Sequence, residues 1–303
     1  MSPATTATTR QGKDRHPENP DCIERTHDRW RPTLRTLCDP RQHSLPQPHR
    51  DDATSFGALL EAAITAKLVG LLADRLLNET GTTRMSPPMR EFLTSTLRGT
   101  QHRTREHRRH ASQATSALAE HGIPVAVLNG LAYDAALYGS RGTRQLTDID
   151  LLVPADTVND AITVLTKLGY TRLERPGASC RLPTADAVAP TITVDLTTTL
   201  GHTTDPAAVR QALDQPVIDG HDMSSPLPVL SQHDALLHTL ARTAARPRWR
   251  GLADALHLAL AGAVVSRSGP RSTIPAAADA GWNLLRTHWP DLPATPRAEA
   301  ADG

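Results

Sequence analysis

Three aspartates carry the chemistry most open to reading in this sequence. Asp148 and Asp150 stand in "TDIDLLVP", residues 147–154, and Asp195 stands in "TITVDLT", residues 191–197. Like charges at the mouth of an apolar run resist burial unless something positive sits between them. On a strand, alternate side chains share a face. Asp148 and Asp150 then point one way, and Ile149, Leu151 and Val153 point toward the core. Asp195 shares its face with Thr191 and Thr193, with Ile192, Val194 and Leu196 on the buried side. If the two strands are neighbours, three carboxylates converge. At about 4 Å and an effective dielectric of about 20, each pair of anions repels by about 4 kcal/mol. A divalent cation removes that penalty, and an all-oxygen ligand set favours Mg²⁺ or Mn²⁺ over zinc. Asp148, Asp150 and Asp195 are therefore the candidate metal ligands and catalytic residues.

The elements that must position them can be read around these stretches. "HGIPVAVLNGLAYDAALYG" gives a short buried strand, a tight turn at Asn129 and Gly130, and a return to helical spacing. Free N–H groups at such a helix start, together with its dipole, bind phosphate. Asn129 and Gly130 are thus candidate nucleotide-binding residues beside the carboxylates. "DIDLLVP" is the second strand, "ADTVNDAITVLTKLGY" an amphipathic helix, and "PTITVDLTTTL" a third strand. The course between the last two is open. Upstream, "SFGALLEAAITAKLVGLLADRLLNETG" has helical spacing, and a second helix is expected from about Pro88 to Glu120. Its basic stretch, residues 98–110, reads as a solvated face or as a positive flank for a polyanion. Beyond Leu200 the pattern is helical again. "SQHDALLHTLARTAA" opens on a Ser-x-x-Asp cap, and "WRGLADALHLALAGAVV" has an amphipathic stripe.

Composition narrows the class. The 303 residues are 39% hydrophobic and 21% charged with a net charge of +1, which suits a globular protein and gives no global argument for nucleic acid or membrane. Aromatics are 3%, too few for base-stacking platforms. Cys22, Cys38 and Cys180 show no CxxC spacing, so neither a zinc site nor a disulfide framework is indicated, and a cytoplasmic location is expected. No run reaches the roughly 18 apolar residues of a membrane span. Residues 1–52 are poor in apolar side chains and read as a largely disordered tail, dispensable for folding, with a short ordered piece around residues 23–37 as an option.

With these residues in place, the chain resembles the bacterial "uncharacterised nucleotidyltransferase" family within the DNA polymerase beta-like nucleotidyltransferase superfamily. The resemblance runs from about Ser55 to Leu260 and rests on "GIPVAVLNG", Tyr138, Arg144, "DIDLLV", "LGY", "VDLT" and "RWRGLADALHLAL" with Asp254. Two positions depart from the family pattern: Asn129 replaces a lysine and Thr197 a histidine. The resemblance implies an α+β fold, a small mixed β-sheet nucleotidyltransferase core at 122–202. Helical regions at 53–121 and 203–290 would flank it; the Pro- and Ala-rich end, 291–303, reads as disordered from its composition. It implies transfer of an NMP, with AMP as first choice, from a nucleoside triphosphate to an acceptor hydroxyl by a two-metal mechanism. The acceptor could be a small molecule, a peptide or a protein. Asp148, Asp150 and Asp195 would hold Mg²⁺ or Mn²⁺, Gly130 and its neighbours would cradle phosphates, and Arg144 would neutralise the triphosphate. The substitutions at Asn129 and Thr197 keep a second option open, a nucleotide- or partner-binding protein with little or no turnover.

Overall fold

A computed structural model describes residues 30–42, 53–78, 85–174, 178–182, 191–214, 216–219, 226–261 and 274–294. Of the tail expected over 1–52, residues 1–29 and 43–52 lie outside the described residues, as do residues 295–303 of the end expected over 291–303. The architecture is α+β: one mixed sheet with helices before it in the chain, around it and after it.

The sheet has seven strands in the order β3-β4-β5-β2-β1-β7-β6. The three strands expected from sequence are at its centre: β1 (Ala126–Leu128), β2 (Ile149–Leu152) and β5 (Ile192–Thr197). β1 pairs antiparallel with β2, and β2 pairs parallel with β5. All of β1 is buried, and in β5 burial alternates, with Ile192, Val194 and Leu196 inside. Four strands were not expected. β3 (Thr171–Arg172) and β4 (Ala178–Leu182) extend the sheet beyond β5, and β6 (Val217–Asp219) and β7 (Leu227–Val229) extend it beyond β1. The reading of everything after Leu200 as helical is therefore corrected.

A described stretch at residues 30–38 is helical and is called α1 here. The apolar run from Ser55 is two helices, α2 (Ala53–Thr65) and α3 (Val69–Asn78), rather than one. The break falls at Lys67, whose φ of 58° lies in the left-handed region and cannot continue a right-handed helix. Gly70 lets α3 approach the backbone of Gly142 and Thr143, where a Cβ would come within 2.7 Å of both carbonyl oxygens. α4 (Pro87–Glu120) is the long helix of the molecule. Its basic stretch divides: Arg98, Arg103, Arg105 and Arg109 are exposed, and Thr104, His107 and Arg108 are buried.

α5 (Asn129–Tyr138) follows β1 directly, and α6 (Val158–Lys167) follows a 3-10 turn at Ala155–Thr157. α7 (Pro206–Asp214), α8 (Gln232–Ala245), α9 (Trp249–Leu260) and α10 (Ala276–His288) complete the described chain. The Ser-x-x-Asp cap forms as expected, with the Asp234 N–H donating to Ser231 Oγ at 3.1 Å. α8 packs between α9 and α10. One continuous core runs from Leu34 and Leu37 of α1 through the sheet to Trp282 and Trp289. No described helix is long and apolar enough to cross a membrane.

Candidate active site

The β2–β5 pairing decides the geometry. In their parallel register Asp150 stands opposite Asp195, so both side chains leave the sheet on the same face. Asp148 lies two residues before Asp150 and just ahead of β2. Carboxylate oxygens of Asp148, Asp150 and Asp195 all lie within 4.8 Å of one another, each residue half-buried. Among the described residues, no other trio of His, Cys, Asp or Glu side chains converges this way. The donor set is all oxygen, which hard divalent cations accept. Among the described residues the free cysteines, Cys38 and Cys180, are buried.

The turn after β1 meets this patch from the side. Asn129 has φ 54°, a left-handed conformation that asparagine tolerates better than most residues, and it is the first residue of α5. Its Nδ2 donates to Asp150 Oδ2 at 2.7 Å. Its Oδ1 lies 3.1 Å from His238 Nε2, and His238 Nδ1 accepts from the Gly201 N–H at 2.8 Å. Burial, and then the Asp148 charge, push the Asp150 carboxyl above its ordinary range, and the Asn129 hydrogen bond pulls it back.

Gly130 follows, and a side chain there would have to displace its neighbours. A Cβ there would come within 2.6 Å of Leu146 Cδ2 and 3.3 Å of Arg144 Nε. Arg144 itself is buried behind the turn. Its Nε donates to the Gly130 carbonyl at 2.9 Å and its Nη1 to Asp254 Oδ2 at 2.7 Å. Its guanidinium also lies over the Tyr133 ring, 5.8 Å from the centroid. The other Asp254 oxygen accepts from Tyr138 Oη and from Arg250 Nη2, each at 2.9 Å. The structure thus brings together Asp148, Asp150 and Asp195, sets Asn129 and Gly130 beside them, and gives Arg144 partners beneath the turn. Thr197 closes β5, where its carbonyl accepts from the Val153 N–H at 2.9 Å.

Two residues at or near this site escaped the reading of the sequence. His238 is joined to Asn129 across 109 positions, a separation that leaves no local pattern to read. His107, in the basic stretch of α4, is buried and lowered in pKa mainly by that burial, with the Asp148 charge and the Thr147 carbonyl acting the other way. Its Nδ1 pairs with the Arg103 carbonyl at 2.8 Å.

The family model described as "Uncharacterised nucleotidyltransferase" matches residues 52–261, more than half of the chain. The chain belongs to that family. Its match encloses every site residue named above. No curated protein sequence matches the chain. Among solved structures, an antigenic nucleotidyltransferase-like protein from Paracoccidioides brasiliensis is similar at 14% identity and TM-score 0.46, over 62% of this chain and 90% of that one. The antibiotic-resistance factor ANT(2'')-Ia is similar in its solution structure at 16% identity and TM-score 0.35, over 58% of this chain and 89% of that one. Its crystal structure in complex with adenylyl-2''-tobramycin is similar at 14% identity and TM-score 0.34, over 58% and 94%.

Proposed function

We propose that this family member is a metal-dependent enzyme that transfers an NMP, with AMP as first choice, from a nucleoside triphosphate to an acceptor hydroxyl. The observation that carries the reading is the convergence of Asp148, Asp150 and Asp195 within 4.8 Å. Three half-buried anions in that space are costly unless a cation shares it. Mg²⁺ or Mn²⁺ held there would supply charge neutralisation for the triphosphate and lower the pKa of the attacking hydroxyl.

This chain's residues would divide the remaining work. Asp148 and Asp150, just ahead of and at the start of β2, and Asp195 of the neighbouring β5 would hold the divalent cations. Asp195 also accepts the proton as the hydroxyl oxygen attacks the α-phosphorus. The new O–Pα bond forms as the Pα–O bond to the β-phosphate breaks, and pyrophosphate leaves. The N–H groups at the start of α5 face the β and γ phosphates, and the absence of a side chain at Gly130 lets the backbone approach. Arg144 acts on the triphosphate through the turn, because it fixes the Gly130 carbonyl.

Incubation with α-labelled NTPs, Mg²⁺ and a panel of small-molecule, peptide and protein acceptors tests this. Label transfer with release of pyrophosphate, lost in Asp150→Asn, is the expected result. One observation favours a second reading, binding with little turnover: the Asn129 amide is committed to Asp150 and His238. Mg²⁺-dependent nucleotide affinity, with no pyrophosphate released from the nucleotide whichever acceptor is present, would select that reading. No nucleotide affinity with or without Mg²⁺ would overturn both.

A further inference from the structure

Three hydrogen bonds run in one direction toward Asp150. A backbone N–H can only donate, so the Gly201 N–H makes Nδ1 of His238 an acceptor. Burial holds the imidazole down to about 3, so the ring is neutral and its single proton is on Nε2. Nε2–H then donates to Asn129 Oδ1, which turns the amide nitrogen of Asn129 toward Asp150. Each assignment is forced by the one before it. Without the histidine, the Asn129 amide could flip and present its oxygen to a carboxylate.

The path of these bonds closes on itself through the fold. β5 carries Asp195 and leads into the turn at Leu200–Thr203, which supplies the Gly201 N–H. α8 supplies His238, the β1–α5 junction supplies Asn129, and β2 carries Asp150, which pairs back onto Asp195 of β5. Gly201 allows the close approach, since a Cβ there would lie 2.8 Å from the His238 carbonyl oxygen. Both strands that carry aspartates are therefore tied to one imidazole.

We propose that His238 is a positioning residue for the divalent-cation site, orienting Asn129 so that one oxygen of Asp150 is held and the rest of its lone pairs face the cation. The role rests on the reading of the aspartates as cation ligands. Partners that hydrogen-bond to metal-binding groups set their orientation and with it the affinity.

The test is Mn²⁺ alone, titrated into the full chain and followed by the paramagnetic resonance signal of the free ion. His238→Asn keeps an acceptor for Gly201 and deletes the donor to Asn129. His238→Gln keeps a donor near the place of Nε2. Asn129→Gly tolerates the positive φ and deletes the amide. His238→Asn and Asn129→Gly should each weaken Mn²⁺ binding about tenfold or more, and His238→Gln should stay within about threefold of wild type. The double variant His238→Asn with Asn129→Gly should be no weaker than either single, since the two share one path. Metal-free melting curves establish that each variant is folded, and Asn129→Gly carries the test if His238→Asn is not. Folded variants that bind Mn²⁺ as wild type does, or losses that multiply in the double variant, overturn the positioning role alone. A wild type with no Mn²⁺ affinity overturns the metal reading, and the positioning role with it.

Discussion

Arg144 and Asp254 form a buried ion pair at 2.7 Å, and the same carboxylate takes Arg250 at 2.9 Å, so one anion serves two guanidiniums inside the protein. The pair joins α9 to the loop before β2 and, through the Gly130 carbonyl, to the turn beside the aspartates. Replacing Asp254 leaves two buried cations unpaired. Asp254→Ala should cost about 3 to 5 kcal/mol of stability. Urea unfolding measures it, and a loss under about 1 kcal/mol would show that other groups satisfy Arg144 and Arg250.

Asp150→Asn separates metal chemistry from architecture. Because burial and Asp148 raise the folded-state pKa of Asp150, its contribution to metal-free stability is fullest below its unfolded pKa and is lost as pH rises through the folded one. At neutral pH the amide removes that penalty. Metal-free Asp150→Asn should therefore melt at or above wild type at pH 7, and the difference should shrink in acid. Mg²⁺ should raise the melting temperature of wild type and leave the variant unmoved. A variant that melts well below metal-free wild type, with no Mg²⁺ shift in either, would make "DIDLLV" a structural strand only.

Truncation at Asp51 should destabilise the protein, against the expectation from composition. Trp30, Leu34, Leu37 and Cys38 of α1 are buried in the common core. Burying a large apolar side chain contributes about 1.5 to 3 kcal/mol, so losing several of them is a large fraction of an ordinary domain's stability. Melting curves of the full chain and of the truncated chain decide it, and curves that coincide would show that α1 is not required.

Histidines give the pH dependence a sign. His238 is held at about 3 and His257 at about 4, each below the ordinary value near 6.5, mainly by burial. Their contribution is present above pH 6.5 and is lost as pH falls toward the folded values. His107, His110, His202 and His288 are lowered too and act in the same direction. Urea midpoints should fall from pH 7.5 to pH 5, and a His238→Gln/His257→Gln double variant should show a shallower slope. An unchanged slope would assign the acid sensitivity elsewhere.

The aspartate face was legible because period-two alternation is a local signal. "TDIDLLV" and "TITVDLT" each declare which side chains leave the sheet, and the parallel pairing of Asp150 with Asp195 met that expectation. β6 and β7 were not legible. Each has three residues, and β7 has a proline at its centre, so neither offers enough alternation to count. The destination of Arg144 lay beyond any local reading, since its carboxylate partner is 110 positions away. A long-range pair is set by tertiary packing, and nothing in its sequence neighbourhood marks it. The composition of residues 1–52 pointed to a tail, because a few buried side chains such as Trp30 and Leu34 hardly alter an average over a polar segment.

The position of β1 bears on the order in which the chain can assemble. β1 lies between β2 and β7, and its Val127 pairs with Val229. A nascent chain that has left the ribosome only as far as Leu200 carries all three aspartates. It has no β7 to flank β1 and no His238 to hold Asn129. The acidic patch is therefore synthesised well before its supports, and pairings of high sequence separation are slow to close. Until β7 emerges, an open flank of β1 is exposed to pairing with other chains, which makes the synthesis of the segment between Leu200 and Val229 a vulnerable interval for aggregation.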